Sequence, residues 1–180
     1  MMSETRSLSD LGRFGLTEYI LEKCREAGAS GRNSDDDAIL LTEEETLSTS
    51  VLFLEGINFD LIYTPLQHLG YKVITAAVTN ILAMNGRPSG LSVSLGISNK
   101  LNLQMIEQLM DGVFSACRHY GVSLEAFKPA PSLTGLTIAA TLTGKVRDGA
   151  QYKRSGAQET DVICVSGDLG AALLGLHLLE

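Results

Sequence analysis

No apolar run in this 180-residue sequence approaches the roughly 18 residues of a helical membrane span. The first 25 residues alternate charged and apolar positions and lack the uninterrupted apolar core of a signal peptide. No membrane partner is therefore expected, and the expected location is the cytoplasm. Basic charge is also short: 14 Lys and Arg stand against 21 Asp and Glu, a formal net charge of -7. The average surface repels polyanions, so nucleic acid is excluded as an expected partner. Cys24, Cys117 and Cys164 are odd in number and far apart, and His68, His119 and His177 stand at no metal-ligand spacing from them. The cysteines read as reduced, buried small hydrophobes.

What remains is enough for a core: 44% of the residues are apolar, and the length suits one domain, or one domain plus the start of another. Ser9 and Asp10 precede Leu11, Phe14, Leu16, Tyr19, Ile20 and Cys24, the rhythm of a capped helix ending near Gly28. Residues 29–37 are a polar, turn-rich loop. Two short strands follow at 38–41 and 47–54, joined by an acidic turn at Glu43, Glu44 and Glu45 and forming a hairpin.

A long, buried helix is expected from Pro65 to Asn85, where Leu66, Leu69, Val73, Ile74, Ala77, Ile81 and Met84 keep helical spacing until Asn85-Gly86-Arg87-Pro88 breaks it. Leu91, Val93 and Leu95 alternate with serines as a half-buried strand, and Leu103, Ile106, Met110, Val113, Phe114 and Cys117 repeat as an amphipathic helix. His119-Tyr120-Gly121 reads as its C-cap. Residues 135–146 are a β-rich strand closed by Arg147-Asp148-Gly149, and 161–166 read as a further strand, turning at 167–170 into a helix over 171–179. The reading is α/β (α+β): a mixed or antiparallel sheet packed on helices over 1–150, and the first strand and helix of a second α/β domain over 151–180.

Asp35, Asp36 and Asp37 sit on a Gly/Ser/Asn-rich loop before a strand. Carboxylate oxygens there suit a hard divalent cation, and a solvated cap would use the same residues. Gly167-Asp168-Leu169-Gly170 before a helix suits an anion or simply a turn. Lys72 reads as a stem snorkelling from a buried helix.

The ordered motifs Ser9-Asp10-Leu11-Gly12, Phe14-Gly15-Leu16, the Asp-Asp-x-Ala-x-Leu loop at 35–40 and Glu55-Gly56-Ile57-x-Phe59-Asp60 resemble thiamine-monophosphate kinases, an AIR synthase-related family. Thr64-Pro65-Leu66-x-His68-Leu69-Gly70-Tyr71-Lys72, Ala83-Met84-Asn85-Gly86, Ser132-Leu133-Thr134-Gly135-Leu136, Arg154-Ser155-Gly156-Ala157 and Ser166-Gly167-Asp168-Leu169-Gly170 continue the match. The resemblance implies an AIR synthase-like N-terminal sheet that pairs with a second subunit in a homodimer, an ATP cleft beside it, and a larger C-terminal domain. It implies transfer of the γ-phosphoryl of ATP to thiamine monophosphate, assisted by several magnesium ions.

Carried over by position, the resemblance makes Asp35, Asp36, Thr49 and Ser50 metal contacts and Arg154 a nucleotide contact. Phe127 and Lys128 fall in a phosphate loop that the family builds as Gly-Gly-Asp-Thr, and Asn58 stands where a substrate-contacting histidine is expected. Several acids of the pattern are replaced: Val51 follows the Thr/Ser pair, Ala77 and Asn80 stand for Asn and Asp, and Ala126, Phe127, Lys128 and Pro129 replace the loop. Val51 offers no donor oxygen and Lys128 repels magnesium, though a lysine can meet a phosphate directly. The expectation for this chain alone is an inactive, dimerising nucleotide-binding module. The alternatives are a working thiamine-monophosphate kinase half and a related ATP-dependent synthase of the same fold.

Overall fold

The computed structural model describes residues 8–28, 36–41, 45–148 and 150–179. The chain divides into two units, Met1–Asp35 and Asp36–Glu180. In the first, α1 spans Leu8–Glu26 but is broken at Gly12 (φ 62°, ψ -177°), a conformation open to glycine. Gly28 (φ 71°) closes it, its N–H donating to the Arg25 carbonyl. The side chains of the expected cap, Ser9 and Asp10, lie outside the described residues, as does the loop 29–35 with Asp35.

The second unit is built on one five-stranded sheet. The expected hairpin forms from β1 (Ile39–Leu41) and β2 (Thr46–Leu54), with Ile39 opposite Ser48. β3 (Gly86–Ile97) and β5 (Thr137–Val146) are antiparallel neighbours, and β4 (Ser123–Pro131) lies parallel to β3, giving the order β1-β2-β5-β3-β4. Asn85 (φ 58°) makes the turn into β3, and its side-chain amide donates to the carbonyls of Arg147 and Ala150.

The segment holding Ala126, Phe127, Lys128 and Pro129 is therefore extended and does not form a loop. It is an edge strand, where Pro129 and Pro131 are tolerated because one side of the ladder is unpaired. Its pairing with β3 slips between Leu91 and Ser92, leaving Glu125 as an extra, bulged residue.

One face of the sheet is covered by α2 (Leu66–Ala83) and α3 (Leu103–Tyr120). Leu69, Val73, Ile74, Ala77, Val78 and Ile81 of α2 are fully buried with Leu47, Leu91, Val93, Leu95, Ile138 and Leu142 of the strands. At the helix crossing a Cβ on Gly70 would collide with the Leu109 carbonyl, and one on Gly112 with that of Gln67. α3 is capped as its sequence suggests: the Asn102 side chain accepts from the Met105 N–H, and Gly121 (φ 67°) donates to the Cys117 carbonyl. The other sheet face carries Ser50, Leu52, Ser94 and Thr141, all exposed.

Two expectations are corrected. Cys117 is buried and Cys24 partly so, but Cys164 is exposed. Residues 161–166 form no strand, because a strand exists only through a ladder and no described strand pairs with them. Residues 152–179 are exposed throughout. Within them Gly167 (φ 77°) and Gly170 (φ 88°) form the expected turn into α4 (Ala171–Leu179), none of whose residues is buried. Among the described residues no helix is long and apolar enough to cross a membrane.

Candidate functional site

The start of β1 gathers polar groups from four separate stretches of the second unit. The buried Ala38 donates its N–H to the Met84 sulfur at 3.1 Å, which fixes the backbone just after Asp36 and Asp37. Thr49 on β2 faces the helices and is only 7% exposed. Its hydroxyl donates to the Asp37 carbonyl at 3.1 Å and accepts from the Asn80 amide of α2, also at 3.1 Å. Both hydrogen-bonding roles of a nearly buried hydroxyl are filled.

Arg154 closes the cluster from a short 3-10 turn, Arg154–Gly156. Its backbone N–H donates to Asp36 Oδ1 at 3.0 Å, while Nε and Nη2 of its guanidinium reach the two carboxylate oxygens of Asp37. This is the planar, two-pronged pairing that suits arginine to carboxylate or phosphate. The guanidinium side chain stays 66% exposed, so the pair contributes about 1 kcal/mol at most to stability, and an anionic ligand can compete for it.

The expected site residues thus divide. Asp36, Thr49 and Arg154 come together, joined by Asp37 and Asn80. Ser50 does not join them, since neighbouring strand residues point to opposite faces, and its hydroxyl pairs with that of Thr141 at 2.8 Å on the open face. Phe127 and Lys128 split in the same way: Phe127 stands opposite buried Val93, and Lys128 opposite exposed Ser94. Both lie on β4, four strand spacings from β1, or about 19 Å across the sheet. Asp35 lies outside the described residues.

Asn58 belongs to a second location. Its side chain accepts from the Leu54 N–H at 2.9 Å, tying down the turn after β2 that Gly56 (φ 79°) opens. It lines a cavity of about 280 Å³ with Asp60, Tyr63, Thr64, Lys72 and Leu176. Lys72 Nζ donates to the Asn58 carbonyl at 3.4 Å and lies 5.8 Å from the Phe53 ring centre. The lysine does more than snorkel, because it places a cation in this cavity. Nothing in the helical spacing of 65–85 marks that role, which needs the fold of the turn before it.

Among the described residues no three His, Cys, Asp or Glu side chains are placed to hold a metal ion together. Asp36 Oδ1, both carboxylate oxygens of Asp37 and the Thr49 hydroxyl take part in hydrogen bonds with Arg154, Asn80 and the backbone.

Residues 34–146 match the family described as AIR synthase related protein, N-terminal domain. The thiamine-monophosphate kinase of Synechococcus elongatus is 30% identical over 97% of this chain and 53% of its own length. That of Aquifex aeolicus is 31% identical over 96% and 54%. A solved structure described as AaThiL complexed with AMPPCP and TMP superposes with a TM-score of 0.85 at 28% identity, over 98% of this chain and 55% of that one. The Aquifex aeolicus thiamine monophosphate kinase crystal structure gives 0.83 at the same identity, over 97% and 55%. The chain spans about half the length of the relatives it matches. The chain belongs to the AIR synthase related family, whose N-terminal domain it carries, and its curated relatives are thiamine-monophosphate kinases.

Proposed function

We propose that this chain is the nucleotide-facing N-terminal part of a thiamine-monophosphate kinase-type protein, in the cytoplasm, and that by itself it binds the phosphates of ATP without transferring one. In this reading residues 1–150 are the N-terminal domain and 151–180 open a second. The observation that carries it is the Arg154 fork on Asp37, with Thr49 already saturated by Asn80 and the Asp37 carbonyl. A triphosphate takes the exposed guanidinium from Asp37, exchanging one anion for a more highly charged one.

Magnesium would supply neutralisation of the charge on the transferring phosphoryl group. The donor set fits it poorly. Val51 has no oxygen, Asn80 turns an amide N–H toward Thr49, Ser50 is on the other sheet face, and Arg154 already balances Asp37. No phosphoryl transfer is assigned to this cluster. Thiamine monophosphate is assigned to the cavity of Asn58 and Lys72, where an ammonium suits its phosphate. The open sheet face with Leu52, Ser94 and Thr141 is assigned to a second copy.

The experiment is a direct product assay: the chain with ATP, magnesium and thiamine monophosphate, followed for thiamine diphosphate by chromatography. No product above the protein-free control is expected. Product formation would instead favour the second reading, a working kinase half, which the convergence of Asp36, Asp37 and Thr49 on one point also favours.

A further inference from the structure

A cavity of about 430 Å³ opens where β3 begins and β5 ends, lined by Arg87, Lys145, Val146, Arg147 and Asp148. Its volume is in the range of small-ligand sites, roughly 300–1,000 Å³. It lies at the far end of the sheet from the Asn58 cavity: along β5, Lys145 is about 27 Å from Thr137, the partner of Leu54. Lys145 also points away from Thr49, because it stands an odd number of residues from Leu142, which pairs with Thr49 and is buried under the helices. None of the lining residues belongs to the Arg154 cluster or to a position that the resemblance assigns to nucleotide, metal or substrate.

The lining concentrates positive charge. The whole chain has 14 Lys and Arg and a net charge of -7, yet three of those cations line this one cavity. Arg87 and Lys145 are direct cross-strand partners, which sets their Cβ atoms about 5 Å apart, and like charges so placed oppose the pairing. All three cations are exposed, and among the described residues no carboxylate pairs with any of them. Asp148 is the one acid among the described lining residues, so the cavity keeps an excess of two positive charges.

The backbone beneath them is fixed. Asn85 donates from its side-chain amide to the carbonyls of Arg147 and Ala150, and its own carbonyl accepts from the Arg147 N–H at 2.9 Å. The Val146 N–H donates to the Glu45 carbonyl, and the Val146 side chain packs against the core. Strand register and turn therefore hold the stems of three long cations around one space before any ligand arrives, which reduces the ordering that binding costs.

We propose that this cavity binds the dianionic phosphate group of a small phosphomonoester. Two guanidinium forks and an ammonium match its oxygens, its two negative charges equal the excess on the lining, and its presence relieves the repulsion between Arg87 and Lys145. The volume beyond the phosphate holds the rest of a small ester.

The test titrates the full 180-residue chain with glycerol 3-phosphate, followed by amide NMR shifts, with inorganic phosphate and the monoanion dimethyl phosphate as comparisons at constant ionic strength. At about pH 8 the monoester is doubly ionised. It is expected to shift the amides of 86, 87 and 144–148, and to bind at least about fivefold more tightly than dimethyl phosphate. R87Q/R147Q removes both forks from exposed positions and relieves a like-charge pair, so the unliganded Tm should not fall, while the monoester should bind at least about tenfold more weakly. K145Q, a milder change, should weaken it about threefold. R154A should leave these shifts in place. Tighter binding of inorganic phosphate than of the monoester, equal binding of dimethyl phosphate, no effect of either Gln variant, loss of the shifts in R154A, or shifts confined to other residues would overturn the proposal. So would shifts that follow protein concentration alone, which would assign these cations to a second copy.

Discussion

Thr49 shows how much can hang on one hydroxyl. It links β1 to α2 by donating to the Asp37 carbonyl and accepting from Asn80. Thr49→Val keeps the shape and strands both partners, so stability should fall by about 1–2 kcal/mol, or roughly 3–6 °C in Tm by calorimetry. V51D/N80D tests the opposite direction: it introduces two carboxylates on the elements that carry Thr49 and its partner amide, and binding of AMPPCP should then depend on magnesium where the parent chain's does not. At Cys117 burial pushes the thiol above its ordinary value of 9.0. Its neutral form is the one the fold favours, so its stabilising contribution is full below about pH 9 and is lost as the pH rises through the raised value. Chemical denaturation between pH 8 and 10.5 should show that fall, absent in C117A. Cys164, exposed, should react with a thiol reagent well before Cys117.

At the scale of elements, the two helices are held by glycine-mediated contact at Gly70 and Gly112. G112A places a methyl against the Gln67 carbonyl and should cost about 1–3 kcal/mol, read from urea unfolding. Those helices were legible in the sequence because 3.6-residue periodicity survives wherever one face is buried, and the hairpin and β5 because β-branched residues cluster between turns. β4 was not. An edge strand with two prolines, mostly exposed, carries no alternation to read, and a bulge disrupts what little there is. The reverse error at 161–166 has the same origin. Asp161-Val162-Ile163-Cys164-Val165-Ser166 has strand composition, but composition supplies no partner, and the ladder is what makes a strand. In the candidate site, Asp36, Thr49 and Arg154 could be named from motif positions. The separation of Thr49 from Ser50 and of Phe127 from Lys128 onto opposite faces required the register.

For the molecule as a whole, the charge of the β1 cluster decides between the two readings of the second unit. The guanidinium of Arg154 pairs with Asp37, its backbone N–H donates to Asp36, and Val51 and Asn80 add no carboxylate. Such a cluster has an anion-binding arm and few oxygens left for cations. Calorimetric titration of AMPPCP into the chain and into R154A, each with and without magnesium, measures this balance directly. Binding that is lost in R154A and changes less than about threefold on adding magnesium is expected. Binding that requires magnesium and survives R154A would overturn the assignment of Arg154 as the nucleotide's anchor.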